Sequence, residues 1–339
     1  MNIENYVQPA ARVSSFTDVG TVIYGAGASE STGSEAKRLS MGKGPVLIIA
    51  DKGVMKAGVP GRIRDAIKKE GFEVEVYDEL SAEPTLDSSR KLIDRSREGN
   101  YSLVVGVGGG TVLDSAKTAA IMARNLGDIS DYLQYGEAHF KESALPKILI
   151  PTTSGTGSEV SMFAIIIDKT GTKNWIYGPK LLADSAIVDP LNVITCPPRQ
   201  TAASGMDALA HSMEGLLTLG FSPFSDAVCL QSVRLISQNL RTAYYWGENL
   251  EARYNMSIGA LLGGYAMATT PTGANIGHCM AEALGPMYKV PHGIACALVT
   301  PYEMDFNMPA CIDRLALVAE VMGLDVHGWS KREAAITAV

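Results

Sequence analysis

Four side chains in the second half of the chain have the types and the spacing of a metal site. Asp207 and His211 stand four residues apart, so a helix would place them on one face, about one turn from each other. His278 and His292 follow, fourteen residues apart, with a glycine and a proline between them. One carboxylate and three imidazoles form a donor set that suits Fe(II), Zn(II) or a similar divalent ion. We therefore take these four residues as candidate metal ligands.

A purely structural role remains an alternative for the same residues. Asp207 could belong to a capping box that begins at Ser204, at the start of a helix. Single histidines are also more often core or surface residues than ligands. The pair of clustered histidines, one of them in a Pro-His-Gly turn, favours the metal interpretation over the structural one.

Composition indicates a cytoplasmic globular protein. The 339 residues are enough for two domains, and the content of 46% hydrophobic and 19% charged residues is typical of folded chains. The net charge of −7 argues against a nucleic acid or an anionic membrane as partner. The five cysteines are scattered and form no CxxC pair, so we expect them to be reduced. No signal peptide or membrane span is predicted, because no apolar run is long enough.

The first half of the chain alternates apolar strands with helices, which predicts a parallel sheet covered on both faces. From about residue 190, Ala, Leu, Met and Glu recur at helical spacing, which predicts a mostly helical second half. We place the boundary near Asp189-Pro190, giving an α/β domain over 1–189 and a helical domain over 190–339. The predicted strands are 20–25, 44–53, 73–77, 102–107 and one starting at 147; the predicted helices are about 60–70, 84–98 and 111–125.

A glycine turn follows the fourth predicted strand. The segment Gly108-Gly109-Gly110 leads into a helix near Thr111, and glycines before a helix N-terminus are typical of phosphate binding. A tight turn that needs glycine only for sterics explains the same pattern. Asp51, at the end of an earlier strand, could accept hydrogen bonds from an adenosine ribose, which would favour NAD over NADP. The alternative interpretation is that Asp51 is a solvated turn residue with no ligand. The polar loop 151–158 follows a further strand end, and its hydroxyls and amides could face the ligand at the same edge of the sheet. The competing interpretation is a Ser/Thr/Gly loop with no binding role.

Taken together, four segments of the chain resemble the iron-containing (group III) alcohol dehydrogenase family. The segments are GGGTVLDSAK (108–117), PTTSGTGSEVS (151–161), GMDALAHSMEG (205–215) and HCMAEALGPMYKVPHG (278–293), and the match runs in order from about residue 10 to 325. The resemblance implies a dehydroquinate synthase-like architecture: a dinucleotide-binding α/β domain, an all-α domain, and a catalytic metal in the cleft between them. Family members are usually dimers or larger.

The resemblance also implies roles for individual residues. In the family, the positions of Asp207, His211, His278 and His292 hold the ion, with Fe(II) favoured over Zn(II). The candidate cofactor-binding residues, at positions that lie along NAD, are Asp51, Gly109, Gly110, Thr111, Asp114, Thr152, Thr153, Thr156 and Lys173.

Two features depart from the family pattern. Glu282 stands where the family has a second histidine, four residues after the third ligand, that is thought to relay protons. A carboxylate there could accept a proton, approach the ion or simply pair with a nearby base. The other departure is at the C-terminal end, where Ser330 and Glu333 form a capping box that begins a helix and the chain stops six residues after Glu333, at Val339. Family members usually continue with several more helices, so we expect the chain to be truncated.

The expected function is metal-dependent, reversible hydride transfer between NAD and a small alcohol, which interconverts the alcohol with its aldehyde or ketone. Three alternatives remain open. One is a hydroxyacid–oxoacid transhydrogenase, and another is a catalytically inactive cofactor-binding homologue. The third is a polyol, glycerol-type or dehydroquinate-synthase enzyme; the phosphate-binding members are disfavoured because few Lys or Arg residues lie near the ligand motifs. We expect a homodimer or higher oligomer as the assembly.

Overall fold

The computed structural model describes residues 17–40, 42, 44–81, 83–134, 136–269 and 275–339. The N-terminal lead, in which no signal peptide is predicted, lies outside the described residues. The described chain divides into two compact units. The α/β unit comprises Asp18–Thr153 and Ser158–Thr195, and the helical unit comprises Thr17, Ser154–Gly157 and Cys196–Val339.

The α/β unit is built on a six-stranded sheet in which every neighbouring pair of strands is parallel. Its strand order is β1-β8-β5-β4-β2-β3, and β6 and β7 form a separate antiparallel pair. The strands are β1 Val22–Tyr24, β2 Val46–Ala50, β3 Val74–Tyr77, β4 Leu103–Gly108, β5 Lys147–Pro151, β6 Phe163–Ile167, β7 Lys173–Tyr177 and β8 Ser185–Val188.

Helices cover both faces of this sheet. They are α1 Thr32–Leu39, α2 Lys52–Lys56, α3 Val59–Lys69, α4 Leu86–Glu98 and α5 Gly110–Met122. On one face, Ile48 and Val105 pack in a cluster with Ile63 and Ile67 of α3. On the other face α5 approaches so closely that a Cβ on Gly106 would lie 2.8 Å from the Cβ of Ala116. The fully buried central strands confirm the predicted parallel sheet.

The predicted alternation did not include β6, β7 or β8. A five-residue turn joins β6 to β7, and the Asp168 carboxylate accepts hydrogen bonds from the amides of Thr170 and Thr172 within it, at 2.8 and 3.1 Å. This antiparallel pair interrupts the strand–helix rhythm between β5 and β8, and an Asx turn at Asp168 was the local sequence signal for it.

The helical unit confirms that the second half is mostly α-helical. Its helices are α6 Pro198–Leu217, α7 Pro223–Tyr245, α8 Leu250–Thr269, α9 Ile276–Tyr288, α10 His292–Val321 and α11 Lys331–Ala338. Met213, Val233, Met256 and Leu315 meet in their common apolar core. Because α6 begins at Pro198, Ser204 lies inside the helix, and the alternative that it starts a capping box is wrong.

Two local features of the helical unit follow from sequence. The capping box predicted at Ser330 and Glu333 is present at the start of α11. Within α10, Pro301 and Pro309 remove backbone donors, and Cys311 has a non-helical φ of −129°, which marks a kink in this long helix. Among the described helices, none is both long and apolar enough to cross a lipid bilayer.

Candidate metal centre and dinucleotide site

Three helices of the helical unit bring the candidate ligands together. Asp207 and His211 lie one turn apart on α6, His278 lies in the first turn of α9, and His292 is the first residue of α10. The side chain of Asn275 caps α9 by accepting from the amide of Ile276 at 2.9 Å. Two of the three imidazoles, those of His278 and His292, therefore lie in the first turn of a helix.

Asp207 is the centre of this cluster. Its Oδ1 lies 3.5 Å from the Nε2 of His292, 3.7 Å from the Nε2 of His278 and 4.0 Å from the Nε2 of His211. The imidazoles of His211 and His278 are stacked, with ring centroids 4.5 Å apart. The sequence predicted all four residues as ligands, and the structure gathers them around one carboxylate oxygen.

A fifth donor joins the cluster. The Sγ of Cys296, one turn after His292 on α10, lies 3.7 Å from Asp207 Oδ1, 3.8 Å from His292 Nε2 and 3.9 Å from His278 Nε2. The ligand atoms of Asp207, His278, His292 and Cys296 all lie within 4.8 Å of one another. Asp207, His278 and Cys296 are buried, whereas the His292 side chain is 26% exposed.

The spacing and chemistry of these donors fit a divalent metal ion. Donors bound at about 2.0–2.3 Å in tetrahedral geometry lie about 3.3–3.8 Å apart, and donors on opposite sides of an ion lie about 4.0–4.6 Å apart. The separations from Asp207 Oδ1 to His292 and His278, 3.5 and 3.7 Å, lie in the tetrahedral range, and the separation to His211, 4.0 Å, lies slightly above it. Imidazole and carboxylate donors suit Fe(II) and Zn(II).

Glu214 orients His278 from the side away from Asp207. The Nδ1 of His278 bonds to Glu214 Oε1, which also accepts the backbone amide of His278 at 2.8 Å. The second oxygen of Glu214 accepts the amide of Asn275. With Nδ1 directed to this fully buried carboxylate, the Nε2 atom of His278 faces Asp207, as a metal ligand requires.

Electrostatics favour an ionised Asp207. Burial opposes its charge, but His211, His278 and His292 outweigh that cost and hold the pKa of the carboxyl well below its usual range. Burial lowers the pKa of His211, against the attraction of Asp207, which favours the neutral imidazole that binds metals. The cluster thus offers an anionic oxygen beside imidazole nitrogens.

A second buried carboxylate, Glu303 of α10, lies near Gly277. A Cβ on Gly277 would be 2.1 Å from Glu303 Oε2 and 2.9 Å from Glu214 Oε1, so a side chain there would displace these carboxylates. Burial, followed by the charge of Glu214, raises the pKa of Glu303 to about 8. At neutral pH this side chain is therefore mainly protonated.

Gly293 permits the approach of α10 to α6. A Cβ at this position would lie 2.0 Å from the carbonyl oxygen of Ala203 on α6. Since Gly293 immediately follows His292, any side chain here would push that imidazole away from Asp207.

The α/β unit brings the predicted cofactor-binding turns to one edge of its sheet. β2, β4 and β5 are neighbours, with Ala50 opposite Val107 and Gly108 opposite Pro151. Asp51, Gly109 and Thr152 each directly follow one of these strand ends. Carboxyl ends of parallel strands are the usual ligand-binding edge of open α/β sheets.

The glycine turn leads directly into α5. Gly109 is the N-cap of this helix and has no side chain to cap it, and a Cβ there would lie 3.3 Å from the Oγ1 of Thr153. Gly110 and Thr111 form the first turn of α5. Free amides and the positive end of the helix dipole at such a turn attract phosphate.

Two predicted cofactor-binding carboxylates have structural contacts of their own. Asp51 caps α2, its Oδ1 accepting the amides of Gly53 at 2.7 Å and Val54 at 2.9 Å. Buried Asp114 accepts from the Ser158 hydroxyl at 2.6 Å and from the Ile165 amide at 3.0 Å. The carboxylate of Asp114 therefore holds the loop after β5 and the strand β6 in place.

The remaining predicted residues occupy varied positions. Thr152 is buried and donates its amide to the carbonyl of Gly108 at 3.0 Å. Lys173 begins β7, outside the parallel sheet, and Thr156 belongs to the segment that groups with the helical unit. Glu282 lies half-buried on α9, one turn after His278.

Sequence reasoning missed Glu214, Cys296 and Glu303. Glu214 lies seven residues after Asp207 on the same helix face, and Cys296 lies four residues after His292. Those spacings were the available signal. Their contacts, however, depend on how α6, α9 and α10 pack against one another, which periodicity does not give.

Two family models match this chain, one over its first half and one over its second half. Residues 20–190 match the family model described as "Iron-containing alcohol dehydrogenase", and residues 201–339 match "Fe-containing alcohol dehydrogenase family, C-terminal". The chain belongs to the iron-containing alcohol dehydrogenase family. The resemblance of its four motifs to this family, and the predicted α/β-plus-helical fold, are thereby confirmed.

Named relatives of this alcohol dehydrogenase support the assignment. Long-chain-alcohol dehydrogenase 1 of Geobacillus thermodenitrificans is 38% identical over 316 residues, which cover 93% of this chain and 79% of that protein. The crystal structure of a 1,3-propanediol oxidoreductase superposes with a TM-score of 0.91 at 31% identity, covering 96% of this chain and 84% of that chain. Sulfoacetaldehyde reductase of Bifidobacterium kashiwanohense, solved in complex with NAD+, gives a TM-score of 0.86 at 28% identity, with coverage of 96% and 85%.

Proposed function

We propose that this alcohol dehydrogenase uses a bound divalent ion and NAD(H) to interconvert a small alcohol with its aldehyde or ketone. The observation that carries the proposal is the cluster in which Asp207 Oδ1 lies within 4.0 Å of the Nε2 atoms of His211, His278 and His292. We assign these four residues as the metal-binding set. The family name favours Fe(II) over Zn(II) as the resident ion.

When bound, the ion supplies Lewis-acid polarisation of the substrate oxygen, and the nicotinamide accepts or donates the hydride. The chain's own part is to position donors. Asp207 contributes the negative charge, while Glu214 accepts a hydrogen bond from the Nδ1 of His278 and so leaves its Nε2 to bind the ion.

We assign dinucleotide binding to the α/β unit, in a domain over residues 1–189, and metal binding to a domain over 190–339. The assignment rests on the glycine turn at the start of α5 and on the relative solved with NAD+. Asp51 favours NAD over NADP, because a carboxylate there repels a 2′-phosphate. The assigned residues are Asp51, Gly109, Gly110, Thr111, Asp114, Thr152, Thr153, Thr156 and Lys173.

We assign Glu282 as the group that passes on the alcohol proton. Its position one turn after His278 on α9 supports this role, since residues four apart share a helix face. A carboxylate in this position can take up a proton that the family's histidine would otherwise accept.

We further propose a homodimer or larger oligomer in the cytoplasm. Five free cysteines, two of them buried, suit a reducing compartment. Light scattering on the purified protein gives the assembly mass directly.

Metal content and turnover, measured together, test the proposed function. Wild-type protein should contain iron or zinc and reduce NAD with a simple alcohol from a panel. His278→Ala should lose both the ion and NADH formation, because its imidazole is a ligand. His327→Ala is the matched control, since His327 is exposed in the same unit. Full metal content together with full activity in His278→Ala would contradict the proposal.

A further inference from the structure

Cys296 makes contacts that an ordinary buried cysteine does not need. Its Sγ faces three polar atoms at once, Asp207 Oδ1 at 3.7 Å, His292 Nε2 at 3.8 Å and His278 Nε2 at 3.9 Å. A thiol donates one hydrogen bond and accepts others, all of them weak, so hydrogen bonding at these distances gives the sulfur little reason to face all three atoms. A sulfur at similar distances from all three atoms is the arrangement expected when all four atoms are ligands of one metal ion.

We propose that the thiolate of Cys296 is itself a ligand of the resident ion, together with Asp207, His278 and His292. The inference rests on the proposed metal-dependent function and deepens it, because it changes the donor set from nitrogen and oxygen to nitrogen, oxygen and sulfur. The ligand atoms of these four residues lie within 4.8 Å of one another. With bonds of about 2.0–2.3 Å, such a group can close on one ion after shifts of a few tenths of an ångström.

A role for Cys296 as a small apolar side chain is the competing explanation. Cys296 does belong to a hydrophobic cluster with Ala210, Ala281, Ala295 and Val299. The sulfur, however, is turned toward the polar ligand atoms. Charge also favours a thiolate, since one carboxylate and one thiolate together balance a divalent cation, and Asp207 and Cys296 are both buried.

Coordination of Cys296 has a defined chemical balance. As the sulfur–metal bond forms, the thiol proton leaves to solvent, and no oxidant or reductant takes part. His211, at 4.0 Å from Asp207 Oδ1, remains within reach of the same ion. Sulfur as a donor shifts the preference of the site toward Zn(II), Co(II) and Fe(II), and away from Mg(II) and Mn(II).

Cobalt spectroscopy on the metal-free chain of 339 residues tests the proposal without relying on activity. Co(II) bound by a thiolate shows a near-ultraviolet sulfur-to-cobalt charge-transfer band in addition to its visible ligand-field bands. Wild type should show both features. Cys296→Ser should keep the visible bands and lose the charge-transfer band. Cys279→Ser is the matched control and should keep both, because Cys279 is exposed although it is adjacent to His278.

A competition between Zn(II) and Mn(II) provides a second readout. The preference for zinc should fall at least about 10- to 100-fold in Cys296→Ser, since removal of even an outer partner of a ligand costs that much affinity. Visible cobalt bands without a charge-transfer band in the wild type would overturn the thiolate assignment and leave the proposed function standing. Absence of cobalt binding in the wild type would overturn both. The wild-type spectrum decides the question even if Cys296→Ser does not fold.

Discussion

The imidazole of His278 is oriented by a carboxylate that sequence reasoning did not identify. Glu214 accepts three hydrogen bonds, from the ring and the amide of His278 and from the amide of Asn275. Only a carboxylate accepts on both of its oxygens. At the scale of single residues, therefore, ligand geometry depends on groups that do not themselves touch the ion.

Replacing Glu214 by Gln should weaken metal binding by about 10- to 100-fold, the usual cost of losing an outer partner. The amide NH2 of glutamine would face a donor, either the ring of His278 or the amide of Asn275. Competition with a chelator measures the change. Glu320→Gln, an exposed acidic residue on α10, is the control and should bind like wild type. Equal affinity in both variants would exclude the orienting role.

Glu303 gives the helical unit a pH-dependent stability. Its pKa rises from 4.5 in the unfolded chain to about 8 in the fold, first through burial and then through the charge of Glu214. The folded state thus binds more protons between these values, and stability falls as pH rises through the window. At about 1.4 kcal/mol per pKa unit, the loss has an upper limit of roughly 5 kcal/mol.

Replacement of Glu303 by Gln should remove most of this pH dependence, because the amide stays neutral. Urea unfolding of the metal-free protein at pH 5 and pH 8 measures it. The stability difference between variant and wild type should be small at pH 5 and should favour the variant at pH 8. A constant difference across the window would contradict the raised pKa.

At the scale of elements, the start of α10 fixes one ligand through backbone contact. Gly293→Ala should destabilise the fold by about 1–3 kcal/mol, the usual cost of overpacking, because the added methyl group meets the carbonyl of Ala203. It should also lower metal affinity, since His292 moves with the helix. Denaturant unfolding and metal titration measure the two effects.

Gly61→Ala on α3 is the matched control for Gly293→Ala, because a Cβ at Gly61 meets no atom within 4 Å. This substitution should be neutral or should stabilise by about 0.4–1 kcal/mol. If Gly293→Ala had the same stability and metal affinity as Gly61→Ala, the close approach of Gly293 to Ala203 would not control the position of His292.

Asp51, the N-cap of α2, has two roles that substitutions can separate. Asp51→Ser keeps a capping oxygen but removes the charge, whereas Asp51→Ala removes both. The serine variant should keep wild-type stability and gain activity with NADP relative to NAD. The alanine variant should show the same cofactor shift and lose about 0.5–2 kcal/mol. Unchanged cofactor preference in both variants would leave Asp51 as a helix cap only.

Elements with a strong pattern were predictable, and those defined by packing were not. The buried runs 46–50 and 103–108 and the helix 59–69 follow directly from hydrophobic patterning. The pair β6 and β7 departs from the strand–helix rhythm that guided the prediction. Asp207 and His211 could be assigned because one helix relates them, whereas Cys296 meets Asp207 only through packing across 89 residues of sequence.

At the scale of the whole molecule, the described chain comprises two units with different cores. The candidate ligands all belong to the helical unit, while the glycine turn belongs to the α/β unit. At a free ion concentration 100 times the dissociation constant, binding stabilises the protein by about 2.7 kcal/mol. We expect this stabilisation to fall mainly on the unit that holds the ligands.

Hydrogen exchange with and without a chelator measures where the ion acts. Removing the metal should speed exchange of amides in α6, α9 and α10 and leave those of β2 and β4 nearly unchanged. Adding the ion back to the His278→Ala variant should restore none of the protection. A uniform change over both units would contradict a stabilising effect confined to the ligand helices.

The long separation between Asp207 and Cys296 has a consequence for biosynthesis. At translation rates of about 5–20 residues per second, the ribosome needs roughly 4–18 seconds to add the 89 residues that separate them. Until His278 is added, 71 residues after Asp207, the nascent polypeptide carries only the Asp207–His211 pair of this set, which is too few donors to retain an ion against cellular chelators. Metallation therefore follows synthesis of this region, and the labile metal pool at that moment sets the fraction of loaded enzyme.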